Sequence, residues 1–239
     1  MQWSGRGLVI GLRRHGETSS ILEAMVEGRG RCLGLVRGGR TLKQAPALQP
    51  GNSVQLVWRA RLEDHLGNFT VELLDARAAA LMASRVGLYA LQVIGDHLRL
   101  LPERDPHDRL LGLALGLLDH QGDLTLQGME LARFELVLLE ELGFGLDLAS
   151  CALTGTNHGL THVSPRTGRA VTAAAAEPYR DKLLPLPQFL LEDAPLGPKD
   201  LHRAFTLTGH FLSRHVWEPR ALSPPPMRDA LIGLLTRLP

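Results

Sequence analysis

Up to about residue 77 the apolar residues of this chain alternate with a period of two, and from about Ala78 they recur with the period of a helix. That switch constrains the fold more than any other feature. Leu8–Arg14, Ile21–Glu27, Arg31–Arg37, Ser53–Leu62 and Phe69–Ala76 read as short strands. HGETS, EGRG, GGR, QPGN and DHLGN lie between them and carry turn chemistry. Five strands with such short connections suit a small closed barrel, because an open sheet of this size would leave edges to protect and closure removes them.

Beyond Ala78, Leu81, Val86, Tyr89, Val93, Leu98 and Leu101 mark one helical stripe, broken by Pro102 and Pro106. Asp108 suits the cap of a second helix carrying Leu110, Leu113, Leu117 and Leu118. A third spans Leu126 to Leu142 with Met129, Phe134, Leu138 and Leu142 on its apolar face, and Gly143 sits where a helix-terminating glycine belongs. Residues 151–172 form a loop or hairpin, Pro185 and Pro187 mark a further break, and a last helical pair is expected at Asp200–Val216, starting after Pro198, and at Pro226–Leu238. The expected class is therefore α+β: a five-stranded oligonucleotide-binding (OB) barrel over residues 1–77, then an α-helical domain over 78–239.

Composition narrows what such a chain can do. A hydrophobic fraction of 44% supports a packed core. No apolar stretch is long enough to span a bilayer, and the opening MQWSGRG lacks an apolar signal core, so a cytoplasmic protein without membrane contact is expected. Cys32 and Cys151 set no disulfide framework, and Cys32 reads as a small core residue. Charge is unevenly placed: residues 1–61 hold ten Lys and Arg against three Glu, whereas residues 80–150 hold five Arg against eleven acids. One end of the molecule is thus expected to bind a polyanion.

The sharpest candidate for that surface is GRGRCLGLVRGGRTLK, Gly28 to Lys43, with Arg29, Arg31, Arg37, Arg40, Lys43, five glycines and no acid. On a strand, Arg29 and Arg31 share a face, and glycines let another backbone or a phosphate come close. Against a solvated strand face, the absence of acids favours a nucleic-acid backbone. Arg13 and Arg14 in the first strand, with Arg59 and Arg61 in the fourth, extend the strip, some of them paired with Glu63, Asp64 or Glu72. Trp3, Trp58 and Phe69 are more often core than stacking platforms, so binding is expected to rest on phosphate contacts, to ignore sequence and to be sensitive to salt. HGETSS offers His15 with Thr18 or Ser19 as a base and nucleophile, but no orienting acid or oxyanion site accompanies them. No P-loop is present, so no ATP chemistry and no enzymatic role are expected, and no cofactor.

W-x3-GLVIGLRRHGE, GLVRGGR, LQPGN, WRARLEDHLG, RFELVLLEELGFGLDLASCALTG, VSPRTGRAV and LLPLPQFL, in this order, resemble the bacterial recombination mediator RecO family from Trp3 to about Leu191. The resemblance implies an OB barrel with a helical C-terminal domain, acting in DNA repair and recombination beside the nucleoid. It implies binding of single- and double-stranded DNA, annealing of complementary strands, action with RecR, and help in loading recombinase onto DNA coated by single-strand-binding protein. It further implies a helical-domain site for that coating protein's acidic C-terminal tail. Arg133, Arg166, Arg169 and Lys182 are the candidates for clamping such a tail. The barrel alone would also permit an RNA-binding OB protein, and a protein-only adaptor is a further alternative.

Many RecO-like proteins carry a four-cysteine zinc module after the GFGLDL segment. Here Cys151 keeps the first position, Thr154 stands where its partner belongs, and GRAVTAAAAEP holds no cysteine. His158 and His162 lie nearby, but one thiolate and two loop histidines fall short of a structural zinc set, so no metal is expected at about 151–172.

Overall fold

The computed structural model describes residues 1–197 and 199–237; the expected break at Pro198 and the expected helix end at Leu238 lie outside the described residues. The chain divides into two compact units, Met1–Gln121 and Gly122–Pro239.

In the first unit five strands, β1 (Gln2–His15), β2 (Ser19–Val26), β3 (Gly30–Val36), β4 (Ser53–Arg59) and β5 (Asn68–Asp75), close in the order β1-β2-β3-β5-β4. The fourteen-residue β1 makes closure feasible by pairing with β4 from Gln2 to Leu8 and with β2 from Gly7 to His15. A register shift between Val9 and Gly11 bends it from one neighbour to the other. The parallel pairing of Leu35 with Asn68 joins β3 to β5. This five-stranded barrel with a helical region after it is the expected α+β class. Its core is filled by Val9, Leu22, Ala24, Val26, Val36, Leu48, Val54, Leu56, Trp58 and Phe69, all buried. Fully burying one large apolar side chain of this kind is worth about 1.5–3 kcal/mol. Cys32 lies in this core, as its place in a strand suggested.

The glycines of the basic run serve the chain itself. Gly30 has φ of +68°, and a Cβ there would lie 1.7 Å from the Asp105 carbonyl oxygen. At Gly34 a Cβ would lie 2.3 Å from the Phe69 ring. At Gly30 the close neighbour is another backbone, as expected, though it is the chain's own Asp105; at Gly34 it is the Phe69 ring.

The compact unit reaches past the barrel strands because the next helices pack on them. α1 (Ala78–Met82) and α2 (Arg85–Leu98) split the expected single stripe, since Ser84 adopts an extended conformation and its side chain caps Gly87 N. α3 (Asp108–Asp119) has Asp108 as its first residue; its carboxylate accepts from Gly28 N at 2.7 Å, and the cap position falls to His107. Arg99, just after α2, donates to Glu23 at 3.0 Å and to the Ile10 carbonyl at 2.9 Å, so α2 covers the outer face of β1 and β2.

The second unit is built on α4 (Leu124–Glu141), capped by Asp123, whose side chain accepts from Leu126 N, and ended at Gly143 with φ of +85°. Residues 151–172 form the hairpin of β6 (Leu160–Val163) and β7 (Ala170–Thr172), and β8 (Leu184–Pro185) joins it in the order β7-β6-β8. α5 (Ala173–Ala176) is one turn, α6 (Asp200–Leu212) continues into a wider turn over Ser213–Trp217, and α7 (Pro226–Leu235) follows the prolines. A buried ion pair ties three helices: Arg228 of α7 donates to Glu135 of α4 at 2.7 and 2.8 Å, and Thr208 of α6 donates to the same carboxylate at 2.5 Å. Burial opposes the charge on Arg228, but the adjoining Glu135 carboxylate outweighs it and raises the pKa.

Candidate nucleic-acid interface

Burial along β3 alternates strictly, so Arg31, Leu33 and Leu35 face outward while Cys32, Gly34 and Val36 face the core. Arg31 faces outward as the alternation requires, but Arg29, expected beside it on the strand, lies in the preceding turn, and the face at Arg31 is not open. Arg31 donates to Glu23 at 2.9 Å and to the Leu101 carbonyl at 3.4 Å, lies 3.5 Å from Glu103, and keeps only 15% of its side chain exposed. Residues 99–104 cross this part of the sheet, and Arg104 N donates to the Arg31 carbonyl at 2.9 Å. Arg31 therefore leaves the DNA-binding set: its charge is spent on a buried carboxylate.

Arg29, at the β2–β3 turn, is exposed and sits 4.7 Å from the Trp3 ring centroid. Trp3 is half-buried and stacks on Trp58 at 5.8 Å, with Phe69 edge-on at 5.9 Å. Trp58 and Phe69 are core, as expected of them. Arg104, passed over in the sequence, stands 5.9 Å over Trp58 and donates to the Glu63 and His65 carbonyls. A positive φ of 62° holds it there, a conformation that no sequence signal announces.

The remaining cations gather around the other end of β3. Arg14 pairs with Ser20 and Ser20 with Val36, so the end of β1 lies two ladders from Arg37. On the opposite side Asn68 pairs with both Leu35 and Arg59. Arg37 and Arg59 line one open groove of about 440 Å³ together with Gln44, Phe69 and Thr70. Arg13, Arg14, Arg37, Arg40 and Lys43 are all exposed, and among the described residues none of them is in an ion pair with a carboxylate. Arg40 donates to the Glu17 carbonyl at 2.6 Å and Arg59 to the Gln2 side chain at 2.9 Å, both neutral partners. The expected pairing of these arginines with Glu63, Asp64 or Glu72 is not the one formed; the unit's carboxylate partners include Glu23, Asp75, Asp96 and Asp119. Five unpaired cations on neighbouring strand ends and one loop make a surface suited to a phosphate backbone.

In the second unit the four predicted cations separate. Arg133 turns inward, donates to the Phe189 carbonyl at 3.1 Å and lies 6.0 Å over that ring, which removes it from a clamp. Arg169 pairs with Asp147 at 3.1 Å. Arg166, in the β6–β7 turn, and Lys182, just before β8, are exposed. Since Val163 pairs with Leu184, both lie at the same end of the three-stranded sheet.

The Cys151 loop does not fit a metal. The thiol is 1% exposed, accepts from Thr172 N at 3.4 Å and lies 3.8 Å from the Thr172 hydroxyl, and no group of three His, Cys, Asp or Glu able to hold an ion occurs among the described residues. His158 is exposed, and His162 bonds to Thr161 within β6. Burial raises the Cys151 pKa, but hydrogen bonds from the Thr154 side chain and from backbone N–H groups of Thr172, Leu153 and Thr154 bring it down to about 6. At Cys32 burial wins over the nearby arginines, and the pKa rises to about 11. Among the described residues no helix is long and apolar enough to cross a membrane.

Residues 1–77 match the family described as Recombination protein O N terminal, and residues 86–223 match Recombination protein O C terminal. Relatives named DNA repair protein RecO align over nearly the whole chain. That of Methylobacterium nodulans is 52% identical over 242 residues, covering 99% of this chain and 98% of its own. That of Mesorhizobium japonicum is 52% identical over 240 residues, covering 100% and 94%, and that of Brucella abortus 50% over 239 residues, covering 99% and 97%.

Proposed function

The chain belongs to the recombination protein O family, and on that premise we propose that it is a non-enzymatic DNA-repair and recombination mediator whose barrel unit holds DNA by its phosphates. The observation that carries this reading is the set Arg13, Arg14, Arg37, Arg40 and Lys43, exposed and, among the described residues, free of carboxylate partners, with Arg37 lining a groove together with Arg59. Such contacts carry no sequence information and are as available to a duplex as to a single strand. A surface of that kind suits a factor that brings complementary strands together. The partners that accompany this reading are RecR and single-strand-binding protein, with the acidic tail of the latter taken at the Arg166 and Lys182 end of the three-stranded sheet. The place of action is the cytoplasm, at the nucleoid.

Labelled oligonucleotides test it. Single-stranded DNA, duplex DNA and RNA of equal length are titrated by fluorescence anisotropy across a salt series, and annealing is followed with bare and coated strands. The reading expects sequence-independent DNA binding that weakens steeply with salt, and accelerated annealing. Preference for RNA would assign the barrel to RNA, and no salt-dependent binding would leave a protein-only adaptor.

A further inference from the structure

We propose that Leu42 is an apolar wedge that enters between stacked bases where a DNA duplex opens, an inference that rests on the reading of the basic loop as a DNA-binding surface. Leu42 is 96% exposed, the most exposed large hydrophobic side chain among the described residues; Leu153 follows at 69% and Met1 at 66%. Single exposed leucines are ordinary on a protein surface. This one differs in how it is held and in what surrounds it.

The loop that presents it is fastened at several points. Thr41 N and Oγ1 both donate to the Gly38 carbonyl, at 3.0 and 2.9 Å, and Gln44 N and Ala45 N both donate to the Thr41 carbonyl, at 3.1 and 2.9 Å. Gln44 Nε2 reaches the Val71 carbonyl of β5 at 3.2 Å, and Arg40 N reaches the Thr18 carbonyl at 3.1 Å. Six residues beyond Leu42, Leu48 is wholly buried in the barrel core. The segment thus places one leucine in the core and holds the other at its apex in water. Arg40 and Lys43 flank Leu42, and Arg37 begins the same loop, so cations bracket the apolar tip.

Phosphate can satisfy those cations but offers nothing to Leu42. Base faces offer an apolar slot a few ångströms from the phosphates, and side chains of this type are known to enter between base steps and partly unstack them. A lipid surface is the poorer fit, since one leucine supplies little apolar area to a bilayer. The wedge would act where strands part or zip, the step at which an annealing factor must handle bases as well as backbone.

The test uses a forked duplex with 2-aminopurine at the junction, whose emission rises when the base unstacks. Wild type is expected to raise that emission on binding. Leu42→Ala, at a site too exposed to affect folding, is expected to lose the rise and to bind the fork about tenfold more weakly while keeping the wild-type salt slope. Leu42→Phe is expected to restore the rise. A Leu42→Ala variant that still unstacks the junction overturns the wedge and leaves phosphate binding standing. Wild-type protein with no salt-dependent DNA binding overturns the DNA reading and the wedge together. Flotation with anionic vesicles that is lost in Leu42→Ala would assign the tip to membranes and also overturn it.

Discussion

The two units use the same residue for opposite ends. In the barrel unit Arg13, Arg14 and Arg37 stand in solvent without carboxylate partners, whereas in the helical unit Arg133, Arg169 and Arg228 are taken up by Phe189, Asp147 and Glu135. Arg31 crosses the line, since it belongs by sequence to the free set and by contact to the committed one. A guanidinium carries five donors in a fixed fork, so once a neighbouring segment covers it, only carbonyls and carboxylates can satisfy it. Cover separates Arg31, Arg133 and Arg228 from the free arginines of the barrel, while Arg169 is held by a surface pair with Asp147.

The largest expected effect lies on the committed side. Glu135→Ala strands Arg228, whose side chain is 6% exposed, and should cost about 3–5 kcal/mol in urea unfolding followed by helical circular dichroism. Replacing Glu135 and Arg228 together by methionine should recover most of that loss, because no buried charge is left alone. If the single change proves mild, the helical unit is not held as tightly as the contrast requires.

On the free side, replacing Arg37, Arg40 and Lys43 together by alanine should leave the fold intact and lower the salt slope of DNA binding by about one unit per residue. Arg31→Met should do the reverse. It leaves the slope near wild type and costs about 1–3 kcal/mol of barrel stability, because Glu23 loses a hydrogen-bonded partner in a place where it is nearly buried. A slope that falls with Arg31 as it does with Arg37 would erase the distinction. Gly34→Ala should cost a comparable amount, about 1–3 kcal/mol by thermal melting, since the added methyl meets the Phe69 ring.

The smallest effect is chemical. Hydrogen bonds hold the Cys151 pKa down to about 6, whereas burial lifts that of Cys32 to about 11. Both thiols are buried, Cys151 at 1% and Cys32 at 4% exposure, so iodoacetamide followed by mass spectrometry should find both protected in the folded protein, and fast labelling of either would show that its unit opens. The depressed pKa also carries a sign for stability. The reference thiol value is 9.0, so the Cys151 loop gains stability as pH rises from about 6 toward 9 and loses it as pH falls through 6. Comparing wild type with Cys151→Ala across that range measures it.

Much of the fold was legible because hydrophobic period is local. The alternation in RCLGLVR, the glycine turns and the stripe from Leu126 to Leu142 depend on residues a few positions apart, and they fix strand, turn and helix wherever the chain lies. The break at Ser84 and the short β6, β7 and β8 were beyond that signal, since two to four residues give no period to count. The candidate site was legible as a concentration of charge, and its members only in part. By itself the sequence determined a barrel followed by helices, an acid-free basic run in the barrel half, and a cysteine loop short of zinc ligands. Only the tertiary structure decided which arginines remain free. Exposure depends on chain far away in sequence: Arg31 meets the Leu101 carbonyl 70 residues on, while Arg37 stays exposed.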